Sequence, residues 1–272
     1  MAAALLMMNM QGAVMAADKD LTIFRYSDKV PFALMTDPTS KLPWGDIWNG
    51  FRINSDVTNS YLRPLEDYLK SALPKYADSI SKEMVFCVFY EQEEIFPSAY
   101  NMVIQMNKGQ VVISKGNASF RITPLKSSSY VNWLGNLNHM GTIMGDSLAE
   151  IKEVICSVYP ELVAEFRGNA LIAAQKESNK TEIEEILSNE NFETALDKVF
   201  DKTDRLFQQK LDTAINSYHI EDMVRMSDKL IEAEAQLQHL HDPQTSLRDT
   251  KEIATMTLAE GFRWIKHSLY GA

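Results

Sequence analysis

The chain has 272 residues, 45% hydrophobic and 24% charged, with 27 basic against 37 acidic side chains. That is the make-up of an ordinary globular protein of one large domain or two small ones. A formal charge of −10 lacks the basic footprint of a nucleic-acid binder, no run reaches the roughly 18 apolar residues of a membrane span, and two cysteines without C-x-x-C point to a reducing, cytoplasmic compartment.

Residues 1–20 read in two ways. One is a secretory signal cut near Ala17, after the A-x-A-like Met15-Ala16-Ala17. The other is a buried hairpin, with strands at 5–8 and 13–17 and a turn at 9–12. The apolar part has no Lys or Arg before it and is interrupted by Asn9, Gln11 and Gly12, which favours the hairpin. Runs apolar on both faces suit a sheet covered on both sides.

A short strand follows at 32–35, closed by Asp37-Pro38. Pro43-Trp44 opens a segment that ends near Ile53. Leu62, Leu65, Tyr68-Leu69 and Ala72-Leu73 recur at helical spacing, with Pro64 in the first turn and Pro74 at the end. Residues 84–90, rich in Val and Phe, read as a buried strand. Residues 99–106 and 110–114 flank Asn107-Lys108-Gly109 and predict a hairpin.

The character changes after Pro124. Ser127, Ser128 and Ser129 can cap a helix beginning near Tyr130, and the patterning from 146 to about 241 is helical. Within that block the acid-rich stretch 177–197 reads as a solvated face, and Ile220, Met223, Leu230 and Leu237 belong to an apolar stripe ended by Asp242-Pro243. Two strands, 253–258 and 262–267, close the chain around Ala259-Glu260-Gly261. Strands at both ends with helices drawn from the middle predict an α+β fold, one domain over 1–272, with sheets between helical layers.

Several residues carry a family likeness. Gln11 to Asp18, reading QGAVMAAD after a short apolar strand, resembles the opening of a proteasome β-type subunit. Pro43-Trp44, Glu94-Ile95-Phe96-Pro97-Ser98 and Gly261-Phe262-Arg263-Trp264-Ile265-Lys266 resemble motifs of an uncharacterised bacterial proteasome-like branch. The resemblance implies a four-layer αββα sandwich of N-terminal-nucleophile (Ntn) hydrolase type and peptide or amide hydrolysis without metal or cofactor. It also implies a homo-oligomer acting on peptide or protein substrates. In such enzymes the first residue supplies a hydroxyl or thiol, and its own α-amine is the general base.

Carried over residue by residue, Asp18 matches the acidic position at the end of the second strand. The nucleophile position, sixteen residues earlier, is Ala2. A methyl group has no lone pair, and residues 1–8 contain no Ser, Thr or Cys, so the chain as written is expected to be inactive: a pseudoenzyme or a nucleophile-substituted form. Lys29, with Arg25 beside it, is a loose match to the family's third-strand lysine, and no position matches its accessory serine and aspartate. The alternative is a non-catalytic ring-forming scaffold on the same fold.

Other residues read as structural. His239 and His241, two apart on a helix, do not share a face as i, i+4 ligands would. The three serines lack the G-x-S-x-G elbow, and neither Lys108-Gly109 nor Lys115-Gly116-Asn117 has phosphate-loop spacing. Cys87 and most of the methionines sit within apolar runs as core.

Overall fold

A computed structural model describes residues 3–19, 22–27, 30–52, 61–91, 94–117, 119–123, 129–135, 197–198, 201, 205, 209–241 and 252–267. The chain divides into two compact units, Met1–Leu137 with Asp212–Ala272, and Asn138–Leu211. The described residues of the second unit, 197–198, 201, 205 and 209–211, are helical. Every element below belongs to the first unit.

The N-terminal run forms the expected hairpin. Strands β1 (Ala3–Asn9) and β2 (Gly12–Ala17) pair antiparallel from Ala4–Ala17 to Asn9–Gly12, and all their residues are buried. A side chain on Gly12 would meet the Met256 carbonyl at 2.6 Å, so the close approach of the neighbouring strand demands glycine there.

The second sheet begins with β3 (Ile23–Arg25) and β4 (Phe32–Thr36). Helix α1 (Trp44–Asn49), helix α2 (Leu62–Ala72) and a 3₁₀ stretch, Leu73–Ser79, with Pro74 at its start, lead into β5 (Lys82–Phe89). Strands β6 (Ser98–Asn107) and β7 (Gln110–Lys115) follow, with a short β8 (Phe120–Arg121) against β6. Lys108 and Gly109, both at positive φ (49° and 77°), form the two-residue turn between β6 and β7, the conformation that a tight hairpin of this twist requires.

Residues 129–135 depart from expectation. The serines predict a helix beginning near Tyr130, but the segment is strand β9 (Ser129–Gly135), paired with β1 from Ala3–Gly135 to Asn9–Ser129. An unpaired edge of a buried strand needs hydrogen-bond partners, and that long-range demand overrides a local capping signal. The C-terminal strands β10 (Glu252–Thr257) and β11 (Gly261–His267) complete the first sheet.

The two antiparallel sheets run β11-β10-β2-β1-β9 and β3-β4-β5-β6-β7, so the fold is mixed α+β. Strand alternation sorts the side chains. Ala4, Leu6, Met8 and Met15 of the first sheet share one core with Met35, Phe86 and Val88 of the second. The residues between these, Phe32, Leu34, Val85 and Cys87, pack with Trp44, Ile47, Leu65 and Leu69 of α1 and α2. Helix α3 (Ile220–His241) lies on β1, β2 and β10, where the Ser227 hydroxyl meets the Met7 sulfur at 3.3 Å.

Asn9 joins the hairpin to the segment that leads into α3. Its Nδ2 donates to the carbonyls of Ile215 (2.8 Å) and Tyr218 (2.9 Å), while its Oδ1 accepts the Gln11 amide at 2.9 Å. Asn9→Ala strands buried carbonyls and is expected to cost about 3 kcal/mol. All four tryptophans (44, 48, 133 and 264) lie in the first unit, so urea unfolding followed by tryptophan fluorescence measures it.

Candidate functional site

The polar side chains of this apolar framework gather where β2 ends, β10 begins and the chain crosses to β3. Asp18, the residue after β2, is buried at 6% exposure. Its amide donates to the Ala3 carbonyl at 3.1 Å, and its Oδ1 accepts the Ala3 amide at 2.9 Å. The carboxylate thus takes the place of the next backbone carbonyl and closes the β1–β2 ladder. Charge-assisted bonds of this kind are among the stronger ones available to a backbone amide.

Opposite Ala17 in register stands Glu252, the first residue of β10, with no exposed surface. Its Oε2 accepts the amides of Thr22 (3.2 Å) and Ile23 (3.0 Å), and its Oε1 lies 3.5 Å from Nδ1 of His267. The His267 ring stacks on Trp264 with centroids 4.1 Å apart. A single carboxylate therefore ties the first sheet to the entry strand of the second. Sequence reading did not mark it, because nothing local distinguishes this acid from a solvated one.

Beside Asp18, Lys19 lines a cleft of about 260 Å³ together with Thr22, Thr36, Asp37, Asp46 and Trp44. The Lys19 ammonium donates to the Pro38 carbonyl at 2.7 Å. Thr36 donates its amide (2.9 Å) and its hydroxyl (3.3 Å) to the Thr22 carbonyl. The far wall is the 37–43 loop, held from within. Asp37 Oδ1 accepts the amide and hydroxyl of Thr39. Ser40 Oγ accepts the Leu42 amide and the Trp44 indole N–H, at 3.2 and 3.0 Å.

Glu83, 5% exposed, stands on the β5 side of the same loop. Burial pushes the Glu83 carboxyl up, with the nearby Ser40 hydroxyl opposing the shift and the charge of Asp37 adding to it. Glu83, Asp37 and Ser40 also line a second cleft, of about 350 Å³, on the other side of the same loop.

Of the residues marked in the sequence, Asp18 is the one the structure seats in this cluster. Ala2 and Lys29 lie outside the described residues, as do Ser127 and Ser128. Arg25 sits with an exposed side chain three residues beyond Thr22, about 10 Å along the strand. Cys87 is fully buried, and burial pushes its thiol far up, which keeps it protonated and unreactive. His239 and His241 occupy the last turn of α3. Among the described residues no three metal-ligating side chains converge, and no helix is long and apolar enough to cross a membrane. No family model matches the chain, and no curated protein matches it.

Two substitutions separate the roles of the buried acids. Glu252→Ala orphans two backbone amides and is expected to cost about 3 kcal/mol, whereas Glu252→Gln keeps an acceptor and costs about 1 kcal/mol; denaturant midpoints of the two variants decide this. For Glu83, a carboxyl raised above its ordinary value of 4.5 in the folded chain favours folding in its neutral form, and that advantage is lost as pH rises through the folded value. Glu83→Gln should therefore match the parent below pH 4.5 and exceed it in thermal midpoint at pH 7, in a paired melt at the two pH values.

Proposed function

We propose that this protein has a proteasome-like Ntn-hydrolase fold, built for peptide or amide hydrolysis, with Ala2 in the nucleophile's place. The observation that carries the reading is the pair of bonds between Asp18 and Ala3, at 2.9 and 3.1 Å. Residue 2 is bonded directly to the amide nitrogen that Asp18 holds, so the buried acid is anchored one peptide bond from the nucleophile position. The packing of α1 and α2 on one sheet and α3 on the other is consistent with the four-layer αββα arrangement such a site requires.

The chemistry needs few groups. A hydroxyl on the first residue loses its proton to the residue's own α-amine as the oxygen attacks the scissile carbonyl. The amine then returns the proton to the leaving amine, and water hydrolyses the resulting acyl-enzyme. The unperturbed α-amine, with a pKa of about 8, needs no separate histidine. An aspartate beside it favours the positively charged amine that forms during attack. Ala2 has no hydroxyl to offer, so the chain as it stands is silent.

A chain that starts at residue 2 and carries Ala2→Thr is expected to hydrolyse fluorogenic peptide amides, with a rate that rises through a group near pH 7 to 8. Adding Asp18→Ala should lower that rate by about 10². Turnover by the Ala2 chain would place the active site elsewhere. Silence of the Ala2→Thr chain, with its N-terminus verified by mass, would favour the non-catalytic scaffold.

A further inference from the structure

The cleft beside Asp18 holds a polar group that the fold itself does not use. Thr22 is 1% exposed, and its hydroxyl has no hydrogen-bond partner among the described residues. The backbone of the same residue is engaged at both ends, its amide by Glu252 and its carbonyl by Thr36. Ile23 points into the core between the sheets and Phe24 to the face covered by α1. Alternation therefore turns the Thr22 side chain to the α1 face, where Leu42, Pro43 and Trp44 wall the cleft. Buried hydroxyls without partners are uncommon in folded proteins, and one on the floor of a cleft is a waiting contact.

The rest of the lining says what kind of contact. Asp37 and Asp46 bring carboxylates to the more exposed parts of the wall, and the Thr36 hydroxyl, which donates to Thr22, keeps acceptor capacity. Among the described residues Lys19 is the one cation of the lining, and its ammonium is directed to the Pro38 carbonyl. Acceptors outnumber donors among the described lining side chains, so a donor-rich group fits and an anion does not. At about 260 Å³ the cleft falls just below the size of usual small-molecule sites and suits one long side chain. Leu42, Pro43 and Trp44 offer apolar surface for an aliphatic stem with a charged head.

We infer that this cleft receives a lysine or arginine side chain of a peptide substrate, with the Thr22 hydroxyl and the Asp37 and Asp46 carboxylates as acceptors; the assignment to a substrate rests on the peptidase reading above. The preference belongs to the cleft itself and is present in the inactive chain.

Binding therefore tests it without turnover. The chain as it stands is titrated calorimetrically, at low salt, with three acetylated tripeptide amides, Ala-Ala-Arg, Ala-Ala-Leu and Ala-Ala-Glu. The arginine peptide is expected to bind at least about tenfold more tightly than the other two, the scale of one hydrogen bond to a charged group. Thr22→Val should erase about tenfold of that affinity while leaving the thermal midpoint unchanged or higher, since it removes a hydroxyl that no fold contact uses. Asp46→Asn should weaken the arginine peptide alone. Equal binding of the three peptides, binding of none, or a Thr22→Val chain that binds as the parent does would each overturn the inference. Tight arginine binding together with a silent Ala2→Thr chain would support the ligand class and sink the hydrolase reading. An active Ala2→Thr chain that prefers the leucine peptide would do the reverse.

Discussion

Strand β1 is paired along both edges, to β2 and to β9, and has a packed layer over each face, so none of its seven residues reaches water. A strand so enclosed must be apolar on both sides and must find partners for every backbone group within the protein. The sequence Ala3–Met8 meets the first demand, and the long-range pairing with β9 meets the second. At its C-terminal end Asn9 turns its amide side chain to the chain entering α3, and at its N-terminal end Asp18 substitutes a carboxylate for a missing carbonyl. The polar residues at the two ends of β1 are thus consequences of its burial.

The same reasoning explains why the candidate site lies where it does. Sheet ends are where ladder hydrogen bonds run out, and here three strands end together. Asp18 completes one ladder; Glu252 supplies the amides of Thr22 and Ile23 at the start of the other sheet. Carboxylates serve well because each oxygen can accept more than one bond, and amide donors offset the desolvation of a buried charge. A corner of buried carboxyl groups results, with the Ala3 amide on one side and a cleft on the other.

The cleft wall depends on a second small network. Ser40 accepts from the indole of Trp44 and from the Leu42 amide, so the loop that shapes the cleft is tied to α1. Trp48 in turn packs α1 against Phe24, Phe32 and Phe51 of the aromatic cluster outside the second sheet. These rings meet at tilted angles, an arrangement aromatic pairs prefer to a face-to-face sandwich.

The sequence by itself determined the elements whose signals are local. The N-terminal hairpin, the strand around 84–90, the Lys108-Gly109 turn, helix α2 and the two closing strands all follow from period-2 or helical spacing and from turn residues a few positions apart. Asp18 was marked only by the resemblance, since by spacing alone it is the residue after a strand; its burial and its bonds to Ala3 came from the fold. What the tertiary structure decided are the features in which distant residues meet. Strand β9 is a strand because β1 has an open edge. Glu252 is a buried cross-link because β10 lies beside β2, more than 200 residues away in the chain. The Thr22 hydroxyl has no partner among the described residues because of what the assembled strands bring beside it, which local spacing does not encode. Local spacing carries conformational preference, but hydrogen-bond satisfaction and burial are properties of the assembled sheets, and only the fold assigns them.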